Sequence, residues 1–229
     1  MAREHAPDLM ASTVGGAPDT GTPCSDWRRK GVLFVISGPS GVGKTSLRNR
    51  ILATTTQVKA SISCTTRAPR AGEQDGREYF FISPETFDRY VETGAFLEWA
   101  WVHEQRYGTL RAQVDDGAAA GDDMLLTIDV QGAANLRAAQ VEARYIFVLP
   151  PSWAALEARL QGRGSEDVER RARRLEAARR ELRQYTAYDY AIINDQLDAA
   201  TEALRVIILA ERQRIGRVAP LFAPDAADI

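Results

Sequence analysis

The chain has 229 residues, 45% of them hydrophobic and 26% charged, and a formal net charge of -2. That length suits one large domain with a proper core, and the balanced charge excludes the heavy Lys/Arg excess of a nucleic-acid-binding surface. No apolar run approaches the roughly 18 residues of a membrane span. The cysteines, Cys24 and Cys64, match neither a disulfide framework nor a metal-binding spacing, so a reducing cytoplasm is expected.

Residues 1–30 are rich in Gly, Pro, Ser, Thr and Asp and lack the apolar stretch of a secretory signal. They read as a disordered extension ahead of a domain spanning 31–215, with 216–229 as a C-terminal tail. "VLFVIS" (32–37) is a short continuous apolar run before a Gly-rich turn, the mark of a buried parallel strand, and "KTSLRNRILATT" carries helical spacing at Leu47, Ile51 and Leu52. "VKASISCTT" reads as extended and "YFFIS" as a strand. "SPETFDRYVETG" reads as a helix with Ser83 as cap, Pro84 first and Gly94 as stop. "AFLEWAWVHEQRYG" is strand-like with a turn near Glu104 and Gln105. Beyond it lie a helix "LRAQVDDGAAAG", a buried strand "DMLLTID", a helix "GAANLRAAQ" and a strand "ARYIFVLPP". The chain continues with helices "SWAALEARLQGRG" and "SEDVERRARRLEAARRELRQY", a last strand "YAIIND" and a last helix "LDAATEALRVIILAERQRI". Strands alternating with helices predict an α/β fold with a mainly parallel sheet flanked by helices.

After the first strand comes "GPSGVGKTS", which matches G-x-x-x-x-G-K-[ST] through Gly38, Pro39, Ser40, Gly41, Val42, Gly43, Lys44 and Thr45. The glycines let backbone N–H groups curl around an anion, and the helix that follows aims its positive end at it. Lys44 is suited to the β- and γ-phosphates of a nucleoside triphosphate, and the Thr45 hydroxyl to a Mg²⁺ ion. Lysine occurs only at Lys30, Lys44 and Lys59, which makes one in this slot the more telling.

The segment "SCTTRAPRAGEQDGREYFF" (63–81) is too polar and broken for core. Arg67 and Arg70, with Pro69 between them, can offer two planar forks to one phosphate monoester, and Tyr79 can add a phenol. Glu98, a lone acid in "FLEWA", suits bidentate acceptance from guanine N1–H and the 2-amino group, and "RYGT" offers the hydroxyls of Tyr107 and Thr109. Taken singly, the arginines read as well as surface ion pairs and Glu98 as a partly exposed strand residue; downstream of a phosphate loop they read together as a nucleotide acceptor pocket.

The combination "TTRAPRAGEQDGREYFF", "FLEWA…YGT", "IDVQG", "GRG" and "YDYAIIND" resembles guanylate kinases over residues 31–215. The resemblance implies a P-loop NTPase-type core with a small inserted GMP-binding lobe (about 63–112) and a helical lid (about 161–176). It implies transfer of the γ-phosphoryl of ATP to GMP with Mg²⁺, GDP and ADP being the products and dGMP an open alternative acceptor. It assigns Ser63, Glu98, Thr109 and Asp129 to the guanine side, and Arg67, Arg70, Tyr79 and Tyr107 to the GMP phosphate. Arg163 and Arg174 become lid arginines over the ATP phosphates, acting with Lys44, and Asn194 a residue beside adenine. Neither a nucleic acid nor a membrane is implied as partner, and removal of residues 1–30 is expected to be silent. A scaffold relative without catalysis would carry a degraded phosphate loop. A sugar-phosphate kinase would not need Arg67, Arg70 and Tyr79 together with Glu98. One departure stands out: guanylate kinases usually end the "LLTID" strand with Asp-x-Asp, and this chain has Thr127 and Asp129. Asp129 is expected to act alone there, with Thr127 hydrogen-bonding locally.

Overall fold

The computed structural model describes residues 29–102, 104–161 and 168–218. Nearly all of the expected extension (1–30), the tail beyond 218 and the lid arginine Arg163 lie outside the described residues.

The central sheet has five parallel strands: β1 (Leu33–Ser37), β2 (Val58–Ala60), β7 (Asp123–Thr127), β8 (Arg144–Leu149) and β9 (Tyr190–Ile193), in the order β2-β7-β1-β8-β9. Parallel strands need long crossovers, supplied by α1 (Lys44–Thr54), α4 (Val130–Ala138), α5 (Trp153–Gln161) and α6 (Val168–Leu182), with α7 (Leu197–Arg212) and a short α8 (Ile215–Val218) closing the chain. The alternation of a strand divides the core in two. Phe34 and Ile36 of β1 join Leu125, Leu47, Ile51, Leu204 and Ile208 on one face. Leu33 and Val35 join Met124, Leu126, Val114 and Leu136 on the other. Covered on both faces, β1 reads as an unbroken apolar run, which is how the sequence disclosed it.

A second sheet lies within residues 64–110: β3 (Cys64–Thr65), β4 (Phe80–Phe81), β5 (Phe96–Val102) and β6 (Gln105–Leu110), in the order β4-β3-β6-β5. The strand expected over "YFFIS" shrinks to two residues, because β4 is a half-buried edge held by β3 and by the Asp75 carboxylate, which accepts from the Phe81 N–H at 2.8 Å. Helix α2 (Pro84–Glu92) starts as its caps dictate, Ser83 Oγ accepting from the Thr86 N–H. Its Phe87 packs on Cys64 and Phe96 in a small separate core. Helix α3 (Arg111–Ala119) returns the chain to the central sheet, where Leu97 of β5 joins the second core face.

One boundary differs from expectation. Arg29, read as part of the disordered extension, is tied into the domain: its guanidinium donates to both oxygens of Asp123, at 2.5 and 3.0 Å. Asp123 is fully buried and also accepts from Arg212 Nε (2.7 Å) and the Val32 N–H (2.9 Å). A buried carboxylate needs such partners, so the domain's structural edge includes Arg29. Among the described residues no helix is long and apolar enough to cross a membrane.

Candidate active site

A cleft of about 1260 Å³ opens between the two sheets. Its floor is the turn after β1. Gly38, Gly41 and Gly43 all adopt positive φ, and the tightest is Gly43: at φ 96° an added Cβ would sit 2.3 Å from Asn194 Nδ2. A side chain is therefore excluded twice, by conformation and by contact. Val42 is fully buried in the core and pins the turn from below, while Asn194 Nδ2 donates to the Val42 carbonyl at 2.8 Å. Gly38, Ser40, Lys44 and Thr45 face the cleft. Lys44 Nζ donates to the Gly38 and Pro39 carbonyls at 2.5 and 3.2 Å, so the ammonium is held over the loop.

The second sheet supplies the opposite wall: Ser63, Arg70, Tyr79, Glu98 and Tyr107. Glu98 is 8% exposed. It faces Thr109 across β5 and β6, next to a register irregularity, and accepts from the Thr109 hydroxyl at 2.7 Å. Burial pushes its carboxyl up to about 7, with the nearby Asp129 charge adding and the Thr109 hydrogen bond opposing. Asp129 lines the cleft as well and caps α4, accepting from the Gly132 N–H at 2.7 Å. The two carboxylates converge on Gly132, where an added Cβ would meet Glu98 Oε2 at 3.0 Å and Asp129 Oδ1 at 3.1 Å. Tyr79 and Tyr107 pack edge to face at 5.7 Å. Helix α6 forms the third wall, presenting Arg173, Arg174, Ala177, Ala178 and Glu181 along one face. That face is held by Leu175, Ala178 and Leu182 packing on Leu156 and Leu160.

Arg67, Asn194, Thr127 and Thr109 sit in the fold as follows. Arg67 does not present its fork to the cleft. It donates to both Glu73 oxygens (2.9 and 3.0 Å) and to the Tyr107 hydroxyl (3.3 Å), and its guanidinium lies 5.5 Å from the Tyr79 ring centre. Glu73 and the rings of Tyr79 and Phe81 satisfy the cation, so Arg67 braces Tyr79 and Tyr107. Arg70, in contrast, lines the cleft and makes no ion pair among the described residues. Asn194 sits under the loop, its amide engaged by Val42, and is not among the cleft-lining side chains. Thr127 lines the cleft, yet its buried hydroxyl has no hydrogen-bond partner among the described residues, so the local bond expected there is not made. Thr109 is fully buried and reaches the site only through Glu98.

Arg48, Arg173 and Glu181 line the cleft without having been singled out. Arg48 left a sequence signal, standing one helical turn beyond Lys44. The other two are hidden in an Arg-rich helix whose cleft-facing side no apolar spacing marks. Among the described residues no cluster of three or more His, Cys, Asp or Glu could hold a metal by itself. Thr45 offers a single hydroxyl at the head of α1.

The family model for guanylate kinase matches residues 30–211. The guanylate kinase of Syntrophotalea carbinolica is 49% identical over 191 residues, 83% of this chain and 91% of that protein. That of Anaeromyxobacter dehalogenans is 49% identical over 205 residues, 88% and 89% of the two chains. Among solved structures, guanylate kinase from Anaplasma phagocytophilum superposes with a TM-score of 0.71 at 31% identity, covering 86% of this chain and 96% of that one.

Proposed function

The chain belongs to the guanylate kinase family, and on that premise we propose how its cleft divides the work of the reaction. The enzyme is a nucleoside monophosphate kinase that transfers the γ-phosphoryl group of ATP to GMP, giving GDP and ADP, a step of purine nucleotide metabolism. An oxygen of the GMP phosphate forms a bond to the γ-phosphorus while the bond from that phosphorus to the β–γ bridging oxygen breaks, and ADP leaves with the electron pair. Such a transfer needs positioning and charge neutralisation more than covalent help from the protein.

The observation that carries the assignment of roles is that the phosphate loop and the Arg70–Tyr79–Glu98 wall face each other across one cleft. The loop's N–H groups and Lys44 hold the donor phosphates, and Arg174 approaches them from α6. Asn194 serves ATP through the loop it braces. Arg70, Tyr79 and Tyr107 take the acceptor phosphate, with Arg67 fixing the two tyrosines. Glu98, ionised, accepts the N1–H and 2-amino hydrogens of guanine; Thr109 fixes its free rotation, and Ser63 and Asp129 complete the base side. Mg²⁺ belongs to the same proposal. The Thr45 hydroxyl would hold it at the head of α1, where no carboxylate cluster stands among the described residues, and it would supply charge neutralisation to the donor phosphates. Cytoplasmic residence rests on the cysteine pattern, of which the described member, Cys64, is buried and unpaired.

The test is ADP formation with GMP, dGMP, AMP, UMP and ribose 5-phosphate offered in parallel. GMP is expected to lead, with AMP and UMP below it by roughly 10⁴-fold, because neither offers Glu98 the adjacent N–H donors of guanine. A comparable rate with AMP would remove Glu98 from base selection.

A further inference from the structure

Arg48 carries chemistry beyond this division of roles. It stands four residues after Lys44 on α1, so the two cations share a helix face, and both line the cleft. The side chain is half-buried. Its Nε and Nη2 both donate to Asn49 Oδ1, at 3.2 and 3.1 Å, which fixes one edge of the guanidinium. Arg29, Arg50, Arg67, Arg106, Arg144 and Arg212 all have a carboxylate partner. Arg48 has none among the described residues. Its charge is felt at Tyr79: burial raises that phenol's pKa, and Arg48 is among the cations that oppose the rise. A half-buried guanidinium fixed on one edge, lining the same cleft as a phenol and without a carboxylate partner among the described residues, is a ready site for a phosphate monoester.

We propose that Arg48 binds the phosphate of the nucleoside monophosphate, reaching it from the donor side of the cleft while Arg70 and Tyr79 hold it from the second sheet. This rests on the guanylate kinase reading and adds a phosphate-binding residue to it. Arg48 grows from the helix whose first turn cradles the donor phosphates. It therefore places a positive charge where two anionic groups must approach each other, and it links the second sheet to the phosphate loop through the ligand.

Equilibrium binding to the full chain, measured by calorimetry without ATP, separates the possibilities. For Arg48→Met the affinity for GMP is expected to fall roughly 10- to 100-fold, the range for a lost charge-assisted hydrogen bond. Guanosine, which lacks the phosphate, and ADP are expected to bind as they do to the unaltered protein. Arg48→Lys keeps the charge and loses the fork, so a smaller fall in GMP affinity, again with guanosine unmoved, is expected even if the Met variant folds poorly. An unchanged ratio of GMP to guanosine affinity in both variants overturns the proposal. A parallel fall for ADP overturns it too, by placing Arg48 on the donor phosphates. If the unaltered protein binds no GMP, the reading beneath it fails as well.

Discussion

The two walls of the cleft are built on opposite principles. The donor side is backbone geometry resting on a deep core: Val42 is fully buried below the loop, β1 is covered on both faces, and glycines at positive φ leave no room for side chains. The acceptor side is side-chain chemistry on a shallow sheet with short strands, a three-residue buried core and half-buried aromatics steadied by Arg67 and Glu73. A site made of backbone is broken by steric change and is indifferent to mild pH. A site made of a buried carboxylate and a few polar bonds is broken by single atoms and responds to pH.

The sharpest test of that contrast is Gly43→Ala. Strain at φ 96° and a Cβ 2.3 Å from Asn194 Nδ2 displace the loop, and kcat/KM is expected to fall by about 10²-fold or more. GMP binding measured alone should persist; its loss would mean that the two walls are not independent. Glu98→Gln comes next. Replacing one acceptor oxygen by a donor is expected to lower kcat/KM for GMP by about 1–3 kcal/mol, or roughly 5- to 150-fold, leaving ADP affinity unchanged.

The pH dependence follows from the same carboxyl, pushed up to about 7 by its burial. Guanine needs the ionised form, so GMP affinity is expected to fall as pH drops below about 7, approaching tenfold per unit, while ADP affinity stays level over that window. A flat GMP profile would remove the linkage. The stability sign is the reverse. The folded carboxyl holds its proton more tightly than its ordinary value of 4.5 allows, so Glu98 costs stability progressively from about pH 4.5 to about pH 7. Glu98→Gln is therefore expected to raise Tm above pH 7, losing that gain toward pH 4.5.

Asp129→Asn asks for less. Asn caps a helix as well as Asp does, so Tm should hardly move; a roughly tenfold fall in kcat, measured at saturating substrates, would report the loss of its charge alone. Thr127→Val should do least: it removes a buried hydroxyl without a partner, and Tm is expected to stay or rise by at most about 1 kcal/mol of stability. A clear fall in Tm would reveal a bond to that oxygen.

The same contrast explains what the sequence disclosed. The phosphate loop was legible because only glycine tolerates its backbone and only a buried strand precedes it so abruptly. Glu98 stood out as a lone acid among apolar residues in β5. Arg67 reads the same in the sequence whether its anion is a ligand or Glu73, because a fork beside a proline serves either; the pairing with Glu73 is visible only in the folded turn. The position of Asn194 in the chain does not disclose that its amide meets the Val42 carbonyl. The second sheet was not resolved as such because two-residue strands carry no period.

Asp123 has a consequence for how this chain can be cut and rejoined. Arg29, just ahead of β1, and Arg212, in the last turn of α7, grasp its two oxygens, so both ends of the folded unit are fastened at one buried point. Starting the chain at residue 31 would leave that carboxylate to Arg212 and the Val32 N–H, at a cost below that of a buried charge stripped of its partners, about 3–5 kcal/mol. A circular permutant that bridges residues 29 and 212 and opens instead at the exposed Gln140 turn, between α4 and β8, would keep the clasp closed and leave every wall of the cleft on its own continuous segment.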